Sequence, residues 1–314
     1  MSVHILITGA TGFIGSRVAS TARQLPDVQL RLMARRPGAL DTSASESTFQ
    51  AALTDPDSLR GICDGVDVLI HCAAHIGGPS QLAEAVNEHG TRSLVAEAQR
   101  AGVRRIVQVS TAAVYGRGVF RHAEPVDLRI APASATSRTR AEAERIVLEA
   151  GGTVLRPHLV FGAGDRWVVP GLVELHRKLS ASVDGWGARL SVIDVDDLAR
   201  AVVATATAPH AIPGVRHLTH PDPVTCAEVF DSLVGLLGLP PAQEDICLAE
   251  ARRRLTGDTQ ALHHLDMLAT DHWFAGERLW AESGCPAGSG LADTLNRHGW
   301  WYRRLLERPR PSAA

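Results

Sequence analysis

The chain has 314 residues, 45% hydrophobic and 21% charged, with a formal net charge of −2. This excludes a disordered chain, and the near-neutral charge advertises no basic face for nucleic acid. Five scattered cysteines (Cys63, Cys72, Cys226, Cys247, Cys285) exclude a disulfide scaffold and form no C-x-x-C metal knuckle.

The first half alternates strand and helix signals. Val3–Ile7 is a β-branched run ending at Thr8-Gly9, and Ile14 to Leu25 has helical spacing up to Pro26. Gln29–Met33 reads as a second strand and Phe49–Leu53 as a weak third. Asp57 is expected to cap a short helix before the strand Val66–His71. Leu82 to Ala101 is helical and stops at Gly102, and Arg105–Ser110 is a fifth strand. Ala141 to Ala150 is helical, with Gly151-Gly152 as its stop, and Thr153–Arg156 is a sixth strand. Such alternation predicts an α/β fold: a doubly wound parallel sheet with right-handed crossovers.

The second half is less regular. Helices are expected over Pro170–Leu179, Val195–Thr207, Cys226–Leu236, Glu277–Ser283 and Leu291–Leu306, with a strand at Leu190–Ile193. The expected organisation is a sheet core over 1–160, then a smaller, mostly helical substrate-side lobe over 161–307. Segments near 190–210 return to complete the core, and 308–314 form a frayed tail. No apolar run reaches the length of a membrane span. The run after Met1 lacks a signal-peptide n-region, so a soluble cytoplasmic protein with no membrane and no nucleic-acid partner is expected.

Gly9-Ala10-Thr11-Gly12-Phe13-Ile14-Gly15 is G-x-x-G-x-x-G between a strand and a helix. In that context Gly9 permits the tight turn. Gly12 lets backbone approach a pyrophosphate at the positive end of the helix, and Gly15 lets the helix pack closely. The second strand ends in Met33-Ala34-Arg35-Arg36, where an NAD-selective site carries an acid. Two guanidiniums suit a 2′-phosphate, so the expected cofactor is NADP(H).

These residues resemble the extended short-chain dehydrogenase/reductase family, relatives of the NAD-dependent nucleotide-sugar epimerases and dehydratases with a Rossmann core. The resemblance covers most of the chain. It is carried by Thr8–Gly15, Leu53-Thr54-Asp55, His71–Ala74, Asn87 with Gly90-Thr91, Ser110–Gly116, Arg156–Gly162 and Val195–Ala199. It implies a cofactor site formed by Gly9, Thr11, Gly12, Phe13, Ile14, Gly15, Arg35, Arg36, Leu53, Ala73, Ala74, Val109, Arg140 and Pro157. It also implies a homodimer. Thr111 matches the family's catalytic Ser/Thr. The Tyr and Lys of Y-x-x-x-K fall on Thr136 and Arg140, and Lys178, the single lysine, has Glu174 four residues before it.

An aliphatic hydroxyl is too weak an acid for the tyrosine's role, and an arginine cannot give up its proton. Ketone reduction tolerates this loss better than alcohol oxidation. Reduction creates an alkoxide that takes a proton from water or from a hydroxyl of the substrate. Tyr115 is the best protein alternative as donor, with Thr111 orienting the carbonyl; no metal site is expected. His122 and His158 read as loop or pocket residues, and His263-His264 as a surface pair. Trp167, Trp186, Trp273, Phe274 and Trp280 are available for an aromatic pocket. The nearest character is that of the atypical ketoreductases of aromatic polyketide pathways, of the angucyclinone type. That implies antibiotic biosynthesis and a bulky aromatic ketone as substrate. Two alternatives remain open: a non-catalytic NADP(H)-binding sensor or scaffold, and a sugar-nucleotide epimerase or dehydratase relative.

Overall fold

A computed structural model describes residues 2–36 and 46–307. Seven strands form one parallel sheet. Across it lie Gly214–His217, Thr153–Arg156, Arg105–Val109, Val68–His71, Val3–Thr8, Val28–Ala34 and Glu46–Gln50. The four central strands are almost continuously apolar and buried, as a sheet covered on both faces requires. Val3–Thr8 pairs with Val28–Ala34 on one side and Val68–His71 on the other, so the strand order reverses there. In such sheets ligands bind at the carboxyl ends of the strands at this switch point. Here those ends are Thr8-Gly9 and His71-Cys72.

One face carries Phe13–Ala22, Val195–Thr207 and Glu277–Ser283, packed on Ile5, Ile7, Ile70 and Val107. The other carries Gly90–Arg100 and Ala135–Glu149, packed on Leu6, Leu69, Ile106 and Val154. A second core, centred on Leu172, Leu175, Phe230, Leu265 and Tyr302, holds the lobe together. Among the described residues no helix is long and apolar enough to cross a membrane.

Several expected boundaries move. The cap of the short helix Pro56–Leu59 is Asp55 rather than Asp57, because its carboxylate accepts from the Ser58 amide. The expected strand Leu190–Ile193 splits at Ser191 into Arg189–Leu190 and Val192–Asp194, which join different sheets. The expected helix Leu291–Leu306 breaks at His298 into Leu291–Arg297 and Gly299–Leu306. The core-completing segment extends past 210 to the seventh strand, Gly214–His217. The expected tail 308–314 lies outside the described residues.

Candidate active site

A cavity of about 330 Å³ opens at the switch point, lined by Gly9, Thr11, Gly12, Arg35, Leu53, Ala73, Ala74 and His75, among others. Gly9 has φ of 74°, and a Cβ there would lie 2.7 Å from the Ala73 amide nitrogen. A Cβ on Gly15 would overlap the Gly9 carbonyl oxygen, so the helix can seat only on a glycine. Gly12 caps that helix with no side-chain hydrogen bond, leaving the amides of the first turn for an anionic group. Arg35 reaches the cavity. Arg36 beside it is exposed and lies outside the lining. Phe13 turns away and packs against Gly164.

A neighbouring helix fixes the loop that walls this cavity. Between Ser80–Ala83 and Gly90–Arg100 lies a π-helical stretch, Glu84–His89. It carries Asn87, whose amide accepts from His75 N at 2.7 Å and donates to His75 O at 3.0 Å and Thr139 Oγ1 at 3.0 Å. π-Bulges recur at functional sites, and this one ties the cavity wall to the helix Ala135–Glu149. His71, next to the cavity-lining Cys72, spans Thr8 Oγ1 at 2.7 Å and Thr91 Oγ1 at 2.9 Å. Burial, aided by the nearby Arg140 charge, pushes His71 down to about 3, so it is neutral.

The helix Ala135–Glu149 starts earlier than its apolar spacing suggests, because Ser134 and Ser137 form a capping box. Thr136 therefore sits in the first turn, where its hydroxyl accepts from the Gly77 amide at 3.3 Å. Arg140, one turn on, is 7% exposed and donates to the Val109 carbonyl at 2.5 Å. Its Nε is buried with no hydrogen-bond partner among the described residues. Burial draws its pKa below the usual arginine value, opposed by Glu144 and Cys72. Cys72 lines the cofactor cavity, so the guanidinium lies just behind that wall. The glycine cradle and the uncapped helix are what a dinucleotide needs here. Pro157, expected at the cofactor site, lies outside the lining of this cavity, and its carbonyl accepts from Ala112 N at 2.8 Å.

A second cavity of about 660 Å³ is lined by residues of both the sheet core and the lobe. Its lining includes Thr111, Ser137, Phe120, His158, His272 and Phe274, with Arg252, His263 and Asp266 also present. Thr111 caps a short 3₁₀ turn, Ala112–Tyr115, its hydroxyl accepting from Ala113 N at 3.1 Å. That hydroxyl keeps its own proton to donate.

Tyr115 is placed differently from expectation. It is 2% exposed, absent from the lining of the second cavity, and accepts from Arg156 Nη1 at 2.7 Å. It also bonds His217 Nε2 at 2.7 Å, while Arg156 forms a buried ion pair with Glu144. Burial raises the phenol's pKa despite the adjacent Arg156. The Tyr115 hydroxyl is taken up by these buried partners and is not presented to the second cavity.

The aromatic wall also departs from expectation. Of the five residues singled out, Phe274 alone lines the second cavity. Trp186 packs on Phe230 in the lobe core, Trp280 donates to Thr219 O, and Trp167 is 67% exposed. Trp273 stacks beside His122, which meets Glu277 on the surface. Phe120 and His272 arrive instead on short strands, Phe120–Ala123 and His272–Phe274, that pair with each other. His263 is exposed, as expected, and also contributes to the lining of the second cavity. Asp194, Asp196 and His298 come together away from this site. There Asp194 accepts from the amides of Asp196 and Asp197 and contacts His298 Nε2 at 2.6 Å, a helix cap braced by a histidine.

Comparison with known proteins agrees with this geometry. The model of the NAD dependent epimerase/dehydratase family matches residues 5–218. A 3 beta-hydroxysteroid dehydrogenase/Delta 5→4-isomerase of Mycobacterium tuberculosis is 29% identical over 67% of this chain and 61% of its own length. A 4-hydroxy-2-methyl-3-oxo-4-farnesyl-3,4-dihydroquinoline-1-oxide ketoreductase of Stigmatella aurantiaca is 30% identical over 58% of each chain. The chain thus spans about three-fifths of the length of these curated relatives. A short-chain dehydrogenase/reductase superfamily protein from Agrobacterium tumefaciens, solved with bound NAD, shares the fold. Its TM-score is 0.76 at 21% identity, over 96% of this chain and 98% of the other. The family match runs from the first strand of the sheet to the seventh and beyond the Gly9–Gly15 turn and Thr111, and the chain belongs to the NAD dependent epimerase/dehydratase family.

Proposed function

We propose that the chain is an NADPH-dependent ketoreductase acting on a bulky aromatic ketone in antibiotic biosynthesis, of the angucyclinone type that includes the enzyme of simocyclinone biosynthesis. The observation that carries this reading is the pairing of two features. Thr111 lies in the lining of a roughly 660 Å³ cavity with aromatic walls, and the family's acid–base position is held by Thr136, whose hydroxyl is bonded to the Gly77 amide. Relatives support it in kind, one of them a ketoreductase of a bicyclic ring system.

When bound, the reduced nicotinamide supplies hydride to the ketone carbon. Arg35, with Arg36 beside it, holds the 2′-phosphate. The first-turn amides after Gly12 hold the pyrophosphate, and Arg140, behind the Cys72 wall, serves the ribose side. Thr111 donates a hydrogen bond to the ketone oxygen, where negative charge develops. The final proton comes from water or from a phenol beside the ketone. Losing a general acid costs about 10²–10⁴-fold, which reduction of a reactive ketone can absorb. Removing an alcohol proton with no base cannot, so epimerisation is disfavoured.

The test is NADPH oxidation with 8-hydroxy-1-tetralone, an aromatic ketone with its phenol beside the carbonyl. Turnover with formation of the alcohol supports the reading. Tight NADPH binding without reduction of this or other aryl ketones points instead to a cofactor-binding sensor.

A further inference from the structure

The imidazole of His158 lines the second cavity, and among the described residues neither of its nitrogens has a hydrogen-bond partner. Nε2 is the buried one, which leaves Nδ1 as the nitrogen open to the cavity. The ring is held firmly. It stacks on His272 at 5.7 Å and 14°, and its edge meets Phe274 at 5.5 Å and 71°. Ser191 fixes those two neighbours, its amide donating to His272 O and its hydroxyl accepting from Phe274 N, both at 2.9 Å. The 2.8 Å bond from Ala112 N to Pro157 O joins the residue after Thr111 to the residue before His158. The two side chains therefore flank one backbone bridge and enter the same cavity.

We propose that His158 is a second substrate-contacting residue, donating through Nδ1–H to the same ketone oxygen that Thr111 addresses. A buried N–H without an acceptor is rarer than a buried bare acceptor, so the proton belongs on Nδ1 and the bare nitrogen is Nε2. Burial, with His272 and His217 adding to it, pushes His158 down to about 3, so it is a neutral donor throughout the working range. A neutral imidazole here polarises the carbonyl without itself giving up a proton. This deepens the reductase reading and rests on it for the identity of the ligand as a ketone.

The test reads binding separately from turnover. 1-Tetralone labelled with ¹³C at the carbonyl is titrated into the protein loaded with NADP⁺, and the carbonyl resonance is followed. The expected result is a downfield shift in the wild type. The shift shrinks by half or more in His158→Phe and partly returns in His158→Asn, with NADP⁺ affinity unchanged in both. In parallel, kcat for 8-hydroxy-1-tetralone falls by about 10²-fold in His158→Phe, the low end for losing one donor to a developing oxyanion, and recovers in part in His158→Asn. An unchanged carbonyl shift in His158→Phe, or no binding of 1-tetralone by the wild type, overturns the inference. A normal His158-dependent shift with no turnover of any ketone upholds the contact and removes the reductase reading instead.

Discussion

Arg140 Nη2 donates to the carbonyl oxygen of Val109 at 2.5 Å. The bond anchors the guanidinium at the carboxyl end of a central strand, behind the Cys72 wall of the cofactor cavity, with Nε buried and unpartnered among the described residues. Arg140→Ala should therefore weaken NADPH binding by about tenfold, or about 1.4 kcal/mol. It should also destabilise the fold by about 1–3 kcal/mol through the orphaned carbonyl. Calorimetry and thermal unfolding read the two effects separately. Unchanged affinity with lowered stability would show that Arg140 serves the sheet alone.

Arg35 lines the cofactor cavity, Arg36 is exposed beside it, and no acid follows Ala34. NADPH should bind at least about tenfold more tightly than NADH. Arg35→Ala combined with Arg36→Ala should erase most of that gap. Equal affinities in the wild type, measured by calorimetry, would sink the assignment.

Tyr115 closes a buried chain from Glu144 through Arg156 to His217. Tyr115→Phe removes the hydroxyl that both neighbours use. The expected cost is about 1–3 kcal/mol of stability, with kcat on an aryl ketone changed by less than about threefold. Denaturant unfolding and steady-state kinetics on the same samples check this. Loss of turnover with stability intact would return Tyr115 to the chemistry.

Burial holds His71, His158 and His217 down to about 3 in the folded chain. An unfolded histidine titrates near 6.5. Below that pH the unfolded chain takes up protons the folded chain refuses. Stability is therefore complete above about pH 6.5 and is lost as the pH falls toward 3. His158→Phe removes one such site, so its stability should fall less steeply by up to about 1.4 kcal/mol per pH unit. Urea unfolding between pH 7 and 4.5 gives the slopes, and identical slopes for variant and wild type would contradict the neutral, buried state.

The doubly wound core was legible because its strands are long, apolar runs punctuated by glycine. The seventh strand was not. Gly214-Val215-Arg216-His217 has one aliphatic residue and is recruited by pairing with Thr153–Arg156. The start of the Ala135–Glu149 helix was hidden by its polar first turns, although Ser134 and Ser137 are a readable cap in retrospect. Gly90 could be tied to its motif but not to its neighbour: a Cβ there would lie 2.6 Å from that of Leu53, which only the folded chain reveals. The cavity wall was least legible. Phe120, His158 and His272 come from short segments whose direction depends on tertiary pairing, whereas the tryptophans that stood out in the sequence mostly fill cores or face solvent.

Thr136 and Thr111 have opposite expected weights. Thr136 holds the Gly77 amide, so Thr136→Ala should cost less than about tenfold, well below the 10²–10⁴-fold of a true general acid. Thr111→Ala should cost more, because Thr111 lies in the lining of the substrate cavity and addresses the ketone oxygen. A reversed order in kcat would show that the proton passes through Thr136.

The central claim is that this chain reduces a ketone without a protein phenol, and one comparison tests it directly. NADPH oxidation is followed with 8-hydroxy-1-tetralone and with its 8-methoxy ether, in the wild type and in Tyr115→Phe. The account predicts turnover of the hydroxyketone by both proteins, a sharp slowing with the ether in both, and similar binding of the two ketones. Equal rates for hydroxyketone and ether in the wild type, together with no turnover by Tyr115→Phe, would contradict it by showing that the protein supplies the proton.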